Sequence, residues 1–328
     1  MNRIQGARFL VTGGAGFVGS TIVDQLLDAG AAEVRVLDNF IRGTWSNLSS
    51  ALETGRANVI EGDIRDATLV DRASEGIDYV FHQAALRITH CADAPREGVE
   101  VLIGGTVNVL ESAVRHGVKK IVAASSASVY GEPSYLPIDE NHPFNNRTIY
   151  GAGKIAGEQL LRAYYTSSNL PYVAFRYFNV YGPRMDTVGV YTEVMIRWLD
   201  AVEANRPPLI FGDGEQSMDF VYVGDVARAN LLALESDVTD EVFNVGTGVQ
   251  TSLKELCGLI LKLTGSSLKP EHREVRKVGN VQARRAAVEK AKTLLGFKSE
   301  VALEQGLREL MQWKRAAKSA PAVAVEAL

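Results

Sequence analysis

Tyr150 and Lys154 stand four residues apart in the run Tyr150-Gly151-Ala152-Gly153-Lys154. On a helix that spacing puts both side chains on one face. A lysine ammonium beside a phenol favours the phenolate, so the tyrosine pKa is expected to fall from about 10 toward neutrality. A phenolate poised in this way is a general base for a hydroxyl group. Upstream, Ser125-Ser126-Ala127-Ser128-Val129-Tyr130-Gly131 closes an apolar run. A serine at such a strand end can hydrogen-bond the oxygen whose proton the tyrosine handles.

A second constellation lies near the start of the chain. Gly13, Gly16 and Gly19 fall in Thr12-Gly-Gly-Ala-Gly-Phe-Val-Gly19, between an apolar run and a helical pattern. Glycines there allow a tight turn, close approach of backbone to a pyrophosphate, and close packing of helix on strand. The spacing is GxxGxxG, not the GxGxxG of the usual dinucleotide fingerprint. Asp38 follows 19 residues after Gly19, at the end of the run EVRVLD. A carboxylate at that place accepts hydrogen bonds from the adenosine ribose and repels a 2′-phosphate, which favours NAD over NADP. Cofactor contacts are therefore expected from Gly13, Gly16 and Asp38, and from Asp63 in EGDI. Asp63 stands where an adenine amino group is met, or where it caps the next helix.

These residues need a frame that brings strand ends together. Residues 7–12 read as a strand, and Val18, Ile22, Val23, Leu26 and Leu27 recur at helical spacing up to Gly30, a C-terminal cap. EVRVLD, NVIEGDI, YVFHQAA, KIVAASS and YVAFRYFNV are further β-rich runs, separated by helical stretches such as GGTVNVLESAVRHG and GAGKIAGEQLLRAYYTSS. Strands alternating with helices imply an α/β fold, a Rossmann-like doubly wound parallel sheet. Residues 1–178 form the expected dinucleotide domain, to which the chain returns at about 214–246, with a helix over 225–235. Residues 179–318 form a smaller, mostly helical substrate domain, and 319–328 a frayed tail.

The 328 residues carry a net charge of −4, with 46% hydrophobic and 23% charged residues. That balance excludes broad disorder and any global attraction to nucleic acid or an anionic membrane, so an anionic ligand needs a local site. No apolar run is long enough to span a bilayer. The glycines of the first twenty residues read as a turn, not as a leader peptide. Cys91 and Cys257 are too few for a disulfide framework or a zinc site, and a cytoplasmic setting is expected. They read as small packed residues, and no histidine shows ligand spacing. The aromatic set Tyr164, Tyr165, Tyr172, Phe175, Tyr177 and Phe178 reads as core.

From about residue 7 to 313 the chain resembles the extended short-chain dehydrogenases/reductases of the nucleotide-sugar epimerase/dehydratase group. The motifs are TGGAGFVG, His82-Gln83-Ala84-Ala85, SSASVYG, YGAGK, RYFNVYGPR and GDGEQSMDFVYVGDVA. The resemblance implies a nucleotide-sugar substrate and bound NAD, with further cofactor contacts from Phe17, Val18, Asn39, Ile64, Ala84, Tyr150 and Lys154. It implies a catalytic set matching Ser126, Tyr150 and Lys154. It also implies substrate contacts from Arg87, Ser126, Ser128, Asn179, Arg184, Arg276 and Arg284, with no metal. It further implies a homodimer formed through helices near 96–116 and 150–168.

Within that group the Asp-Glu pair of dehydratases, and the Glu of decarboxylases, would follow Ser126. Here Ala127-Ser128 stand there, which leaves 4-epimerisation as the implied reaction. A dehydratase, a keto-sugar reductase and an NAD(H)-sensing binding protein are the alternatives. The sequence departs from the group at Leu102, at Met218 in place of a phosphate-holding Arg, and at Lys277-Val278-Gly279-Asn280. Arg273, Arg276, Arg284 and Arg285 are cations placed to compensate. Arg284 matches the position that bounds the sugar's C2 substituent. A long cation there either excludes an N-acetyl group or pairs with a uronate carboxylate, and the sequence leaves both open.

Overall fold

The computed structural model describes residues 2–187, 194–274 and 282–319. Strand β1 (Arg8–Thr12) is buried from Phe9 onward, and its side chains alternate between two apolar layers. Phe9 and Val11 face one layer and Leu10 the other, as the two-residue period of a strand requires. Strands β2 (Glu33–Asp38), β3 (Ala57–Glu61), β4 (Tyr79–His82), β5 (Lys120–Ser126) and β6 (Tyr172–Tyr177) join it in one parallel sheet. A seventh strand, Glu241–Val245, adds beside β6. The order is β3-β2-β1-β4-β5-β6 and then the seventh strand. The connection reverses direction between β1 and β4. A crevice outside the C-terminal ends of the strands opens at such a switch point.

Helix α1 (Phe17–Asp28) buries Ile22, Val23, Leu26 and Leu27 against the sheet, and Gly30 turns the chain back at φ 91°. The layer on the opposite face is built from Val70, Leu110, Ala113 and Leu161, contributed by the helices Ala67–Ser74, Thr106–Arg115 and Ile149–Ser168. A third cluster, with Trp198, Leu199, Leu256, Ile260, Leu307 and Leu310, is supplied by the helices Val194–Glu203, Leu253–Thr264 and Leu303–Ser319. The short strand pair Asn179–Tyr181 and Phe220–Tyr222 lies at the border of that region.

Two stretches differ from the sequence reading. The helix expected over 225–235 begins at Val223. The stretch ahead of Thr106 winds as a π-helical turn, Glu100–Gly105, before the α-helix Thr106–Arg115. Such turns accompany functional sites, and this one sets Leu102 against Gly153 of the helix Ile149–Ser168. Both cysteines are buried and free. Among the described residues no helix is long and apolar enough to cross a membrane, and no group of acidic, histidine or cysteine side chains is arranged to hold a metal.

Candidate active site

A cleft of about 570 Å³ runs over the C-terminal ends of β1, β2, β4, β5 and β6. One end belongs to the glycine turn. Gly13 has φ 68°, its N–H donates to Leu37 O at 2.8 Å, and a Cβ there would come within 2.7 Å of Ala84 N. A Cβ on Gly19 would collide with the Gly13 carbonyl. The glycines thus let α1 start directly at the cleft floor, with Gly16 as its N-cap. The first turn carries no acidic side chain, so its N–H groups remain available to an anion.

Asp38 ends β2 across this turn. Its Oδ2 accepts the Ala15 N–H and its Oδ1 the Phe40 N–H, each at 2.9 Å. Burial pushes the Asp38 carboxyl up from the usual carboxylate range, against the pull of those amides. Asn39 Nδ2 donates to Asp63 Oδ2 at 2.9 Å, and Arg65 grips both Asp63 oxygens at 3.0 and 2.8 Å. Burial raises the Asp63 pKa, but Arg65 and Asn39 outweigh it and hold the carboxyl below its usual range. The cap of the following helix is Asp66 instead. Phe17, Val18, Ile64 and Ala84 line the same end. Free amides, a glycine cradle that any Cβ would fill, and a carboxylate opposite fit a dinucleotide with an unphosphorylated ribose.

The helix Ile149–Ser168, which carries Tyr150 and Lys154, is capped by Thr148, whose Oγ1 accepts the Gly151 N–H at 3.0 Å. Gly153 brings it close to the π-helical turn, since a Cβ there would meet Leu102 Cδ1 at 2.7 Å. Tyr150 and Lys154 both face the cleft with Ser126 and Ser128. Lys154 Nζ donates to Ala124 O at 2.7 Å and lies 5.8 Å from the centre of the Tyr150 ring. Burial pulls the Lys154 pKa down to about 8, against Cys91 and Glu158.

The expected fall in the Tyr150 pKa is not what the structure gives. Burial pushes the phenol up, and the Ser126 hydroxyl and Arg42 only partly oppose it. The ammonium, turned to a carbonyl, does not overcome the loss of water around the ring. Ser126 Oγ accepts the Ser128 N–H at 3.1 Å and donates to Ser128 Oγ at 3.1 Å. The turn after β5 therefore presents two linked hydroxyls.

Behind this set lies a buried brace that the sequence did not disclose. Arg176 grips Glu158 through Nε at 2.9 Å and through a second nitrogen at 2.7 Å, and Ser125 Oγ donates to the same carboxylate. Arg176 also donates to Tyr130 Oη at 2.9 Å, which donates to Asn244 at 2.7 Å. His82 locks the neighbouring strand ends. Thr106 Oγ1 donates its proton to Leu102 O at 2.8 Å, so His82 Nε2 must donate to Thr106 Oγ1 at 3.0 Å. His82 Nδ1 then accepts from Thr12 Oγ1 at 2.7 Å. Burial drops the His82 pKa to about 3, so the ring is neutral.

The remaining residues assigned to the substrate fall into different situations. Asn179, Ser128 and Arg284 line the cleft, and Met218 does too. Arg184 lines it at φ 71° but is paired with Asp24 at 2.6 Å. Arg87 pairs with Asp186 at 3.4 Å, and Arg42 reaches the same carboxylate at 3.1 Å. Asp186 thereby ties a loop beyond β6 to two loops on the cofactor side of the cleft. Arg276 and Lys277-Val278-Gly279-Asn280 lie outside the described residues. Tyr177 and Phe178, read as core, also face the cleft. Tyr177 Oη is held by Gln83 at 3.1 Å and Asn230 at 3.0 Å. Asp24, Asp186 and Glu158 carried no local signal, because each meets its partner across a long stretch of chain.

The model of the NAD dependent epimerase/dehydratase family matches residues 9–246. A putative UDP-glucose 4-epimerase of Methanocaldococcus jannaschii is 39% identical over 312 residues, covering 93% of this chain and 98% of that one. A UDP-N-acetyl-alpha-D-glucosaminuronate decarboxylase of Bacillus cytotoxicus is 34% identical over 325 residues, covering 94% and 98%. Among solved structures, the UDP-N-acetylglucosamine 4-epimerase of Methanobrevibacter ruminantium M1, in complex with UDP-N-acetylmuramic acid, superposes with a TM-score of 0.91. It shares 32% identity, over 95% of this chain and 99% of that one.

Proposed function

Because the chain belongs to the NAD-dependent epimerase/dehydratase family, we propose that it is a nucleotide-sugar 4-epimerase. Its substrate is a nucleoside-diphosphate hexose, inverted through a transient 4-keto sugar. Overall similarity does not select this reaction, since an epimerase and a decarboxylase both match most of the chain. The observation that carries it is the turn after β5. Ala127 is buried, and Ser126 and Ser128 offer hydroxyls where elimination or decarboxylation would use a carboxylate. Among the described residues the acids lining the cleft, Asp38, Asp63 and Asp186, are all hydrogen-bonded or ion-paired elsewhere.

NAD, when bound, supplies the acceptor and donor of hydride and, while oxidised, a positive charge in the cleft. Gly13, Gly16, Phe17, Val18, Asp38, Asn39 and Ala84 would hold it. Tyr150 Oη takes the proton of the C4 hydroxyl and returns it after the keto sugar has turned its other face. Ser126 Oγ holds the same substrate oxygen, so the proton moves along a fixed line. Lys154 anchors the catalytic helix to β5 through Ala124 O and keeps a cation behind the phenol. Asn179 and Arg284 border the substrate end. The reading also carries a homodimer through helices near 96–116 and 150–168, where Val99, Val114 and Ile149 are exposed. Light scattering would find a mass near twice that of the chain.

Proton NMR of the enzyme with UDP-sugars in D₂O, without added cofactor, tests the reaction. The C4 epimer should accumulate with no deuterium at ring carbons, because the same hydride returns. A 4-keto-6-deoxy product carrying deuterium at C5 would mean a dehydratase and overturn the proposal.

A further inference from the structure

The cations lining the cleft are not equivalent. Arg42 and Arg87 are answered by Asp186, and Arg184 by Asp24. The Arg284 side chain makes no hydrogen bond or ion pair among the described residues, and its Nε is sealed from solvent without an acceptor. Among the described residues the acid that acts on it is Glu132, which is exposed. Arg284 is half-buried; a guanidinium partly removed from water without a counter-charge is costly, and an incoming anion offsets that cost. Arg285, next along the chain, also has an unpartnered Nε but does not face the cleft.

The backbone that carries Arg284 is tied down on both sides. Its N–H donates to Ser217 O at 2.9 Å, and two residues later Ala286 N donates to Asp219 Oδ2 at 3.1 Å. Ala286 packs with Ala127 and Val129, which belong to the turn that begins at Ser126. Glu132 follows the same turn. The strip that carries Arg284 therefore runs alongside the turn of Ser126 and Ser128, and Arg284 lines the same cleft as those two serines.

Building on the 4-epimerase reading, we propose that Arg284 determines specificity by pairing with a carboxylate on the hexose, so that the preferred substrates are acidic nucleotide sugars. A hexuronate presents this group at C5, and an acidic ether substituent presents it on a neighbouring ring carbon. Either satisfies the fork geometry of an arginine.

Calorimetry on the NAD-loaded enzyme in the Tyr150→Phe background gives affinities undisturbed by turnover. The probes are UDP, UDP-glucose, UDP-glucuronate and UDP-N-acetylmuramic acid. An acidic sugar should bind about 10- to 100-fold tighter than UDP-glucose, the range of one charge-assisted pair. Arg284→Met should bring that ratio to about 1, and Arg284→Lys should restore part of it. The acid that shows the preference identifies where the carboxylate sits. Two results overturn the inference. One is a ratio near 1 in the parent, or one that survives Arg284→Met. The other is an equal loss of UDP, UDP-glucose and acidic sugar in Arg284→Met, which would place the diphosphate on this cation. The outcomes separate from those of the parent reading. Inversion of UDP-glucose without acid preference sinks only the role of Arg284. An Arg284-dependent acid preference with no C4 inversion by the unsubstituted Tyr150 enzyme sinks only the epimerase.

Discussion

His82 makes acid sensitivity a property of the cofactor cleft. The neutral ring donates from Nε2 and accepts at Nδ1, between Thr106 and Thr12, with no room for a second proton. The unfolded chain takes up that proton below about pH 6.5, whereas the folded chain refuses it down to about pH 3. Between those values the unfolded state binds more protons, so stability falls as pH falls. The full span corresponds to ~5 kcal/mol, and the part reached by pH 5 to ~2 kcal/mol. Urea unfolding of the enzyme and of His82→Gln at pH 7.5 and pH 5 isolates this one site, since the other groups titrate alike in both. The destabilisation caused by His82→Gln should shrink by ~2 kcal/mol at the lower pH. A difference that stays constant across this range, or a His82 ring that titrates near pH 6.5 by NMR, would refute the reasoning.

Further outcomes follow from the same geometry. Tyr150→Phe should lower turnover by about 10²–10⁴-fold while NAD stays bound, measured by NMR rate and by the nucleotide released on denaturation; near-normal turnover would remove Tyr150 from the mechanism. Glu158→Ala leaves the guanidinium of Arg176, itself 4% exposed, without its carboxylate, and should cost ~3–5 kcal/mol in urea unfolding. The double variant Glu158→Leu with Arg176→Met should recover most of that loss. Asp38→Ala should weaken NAD about 10- to 100-fold and narrow its advantage over NADP in fluorescence titrations. An unchanged NAD:NADP ratio would mean that another group reads the ribose.

The Tyr150 pKa marks where reasoning from spacing fails. Four residues on a helix did put Tyr150 and Lys154 on one face, yet the sign of the pKa shift reversed. Spacing reports which side chains are neighbours. It does not report that Lys154 Nζ spends a hydrogen bond on Ala124 O, or that the ring has left water. In a buried site desolvation favours the neutral form of both groups, raising the phenol and lowering the amine. Holding a proton on Tyr150 suits the half of the reaction in which the 4-keto sugar is reduced, because the phenol is then the acid. The positive charge of the oxidised cofactor is the feature that would favour the phenolate in the other half.

The same distinction separates what was legible from what was not. The parallel sheet, α1 and the glycine turn were legible because each is set by contiguous residues: apolar runs, a helical stripe, glycines at fixed offsets. Ser126, Tyr150 and Lys154 were legible because a strand end and a helix start bring them to one cleft. The pairs that organise the rest join residues far apart in the chain: Glu158 with Arg176, Asp24 with Arg184, Asp186 with Arg42 and Arg87. No local pattern encodes such a pair, since an acid on a helix or loop reads equally well as a solvated surface group. Their effect on function is nonetheless direct. They neutralise the arginines around the cleft one by one, and a charge then stands out by being left over. Arg284 acquires its meaning from the pairing of the others, which is why its type and position in the sequence left an excluded N-acetyl group and a bound carboxylate as equal readings. In the fold Arg284 lines the same cleft as Ser126, Ser128 and Met218, and its side chain has no acceptor among the described residues, which is the asymmetry on which the proposed carboxylate pairing rests.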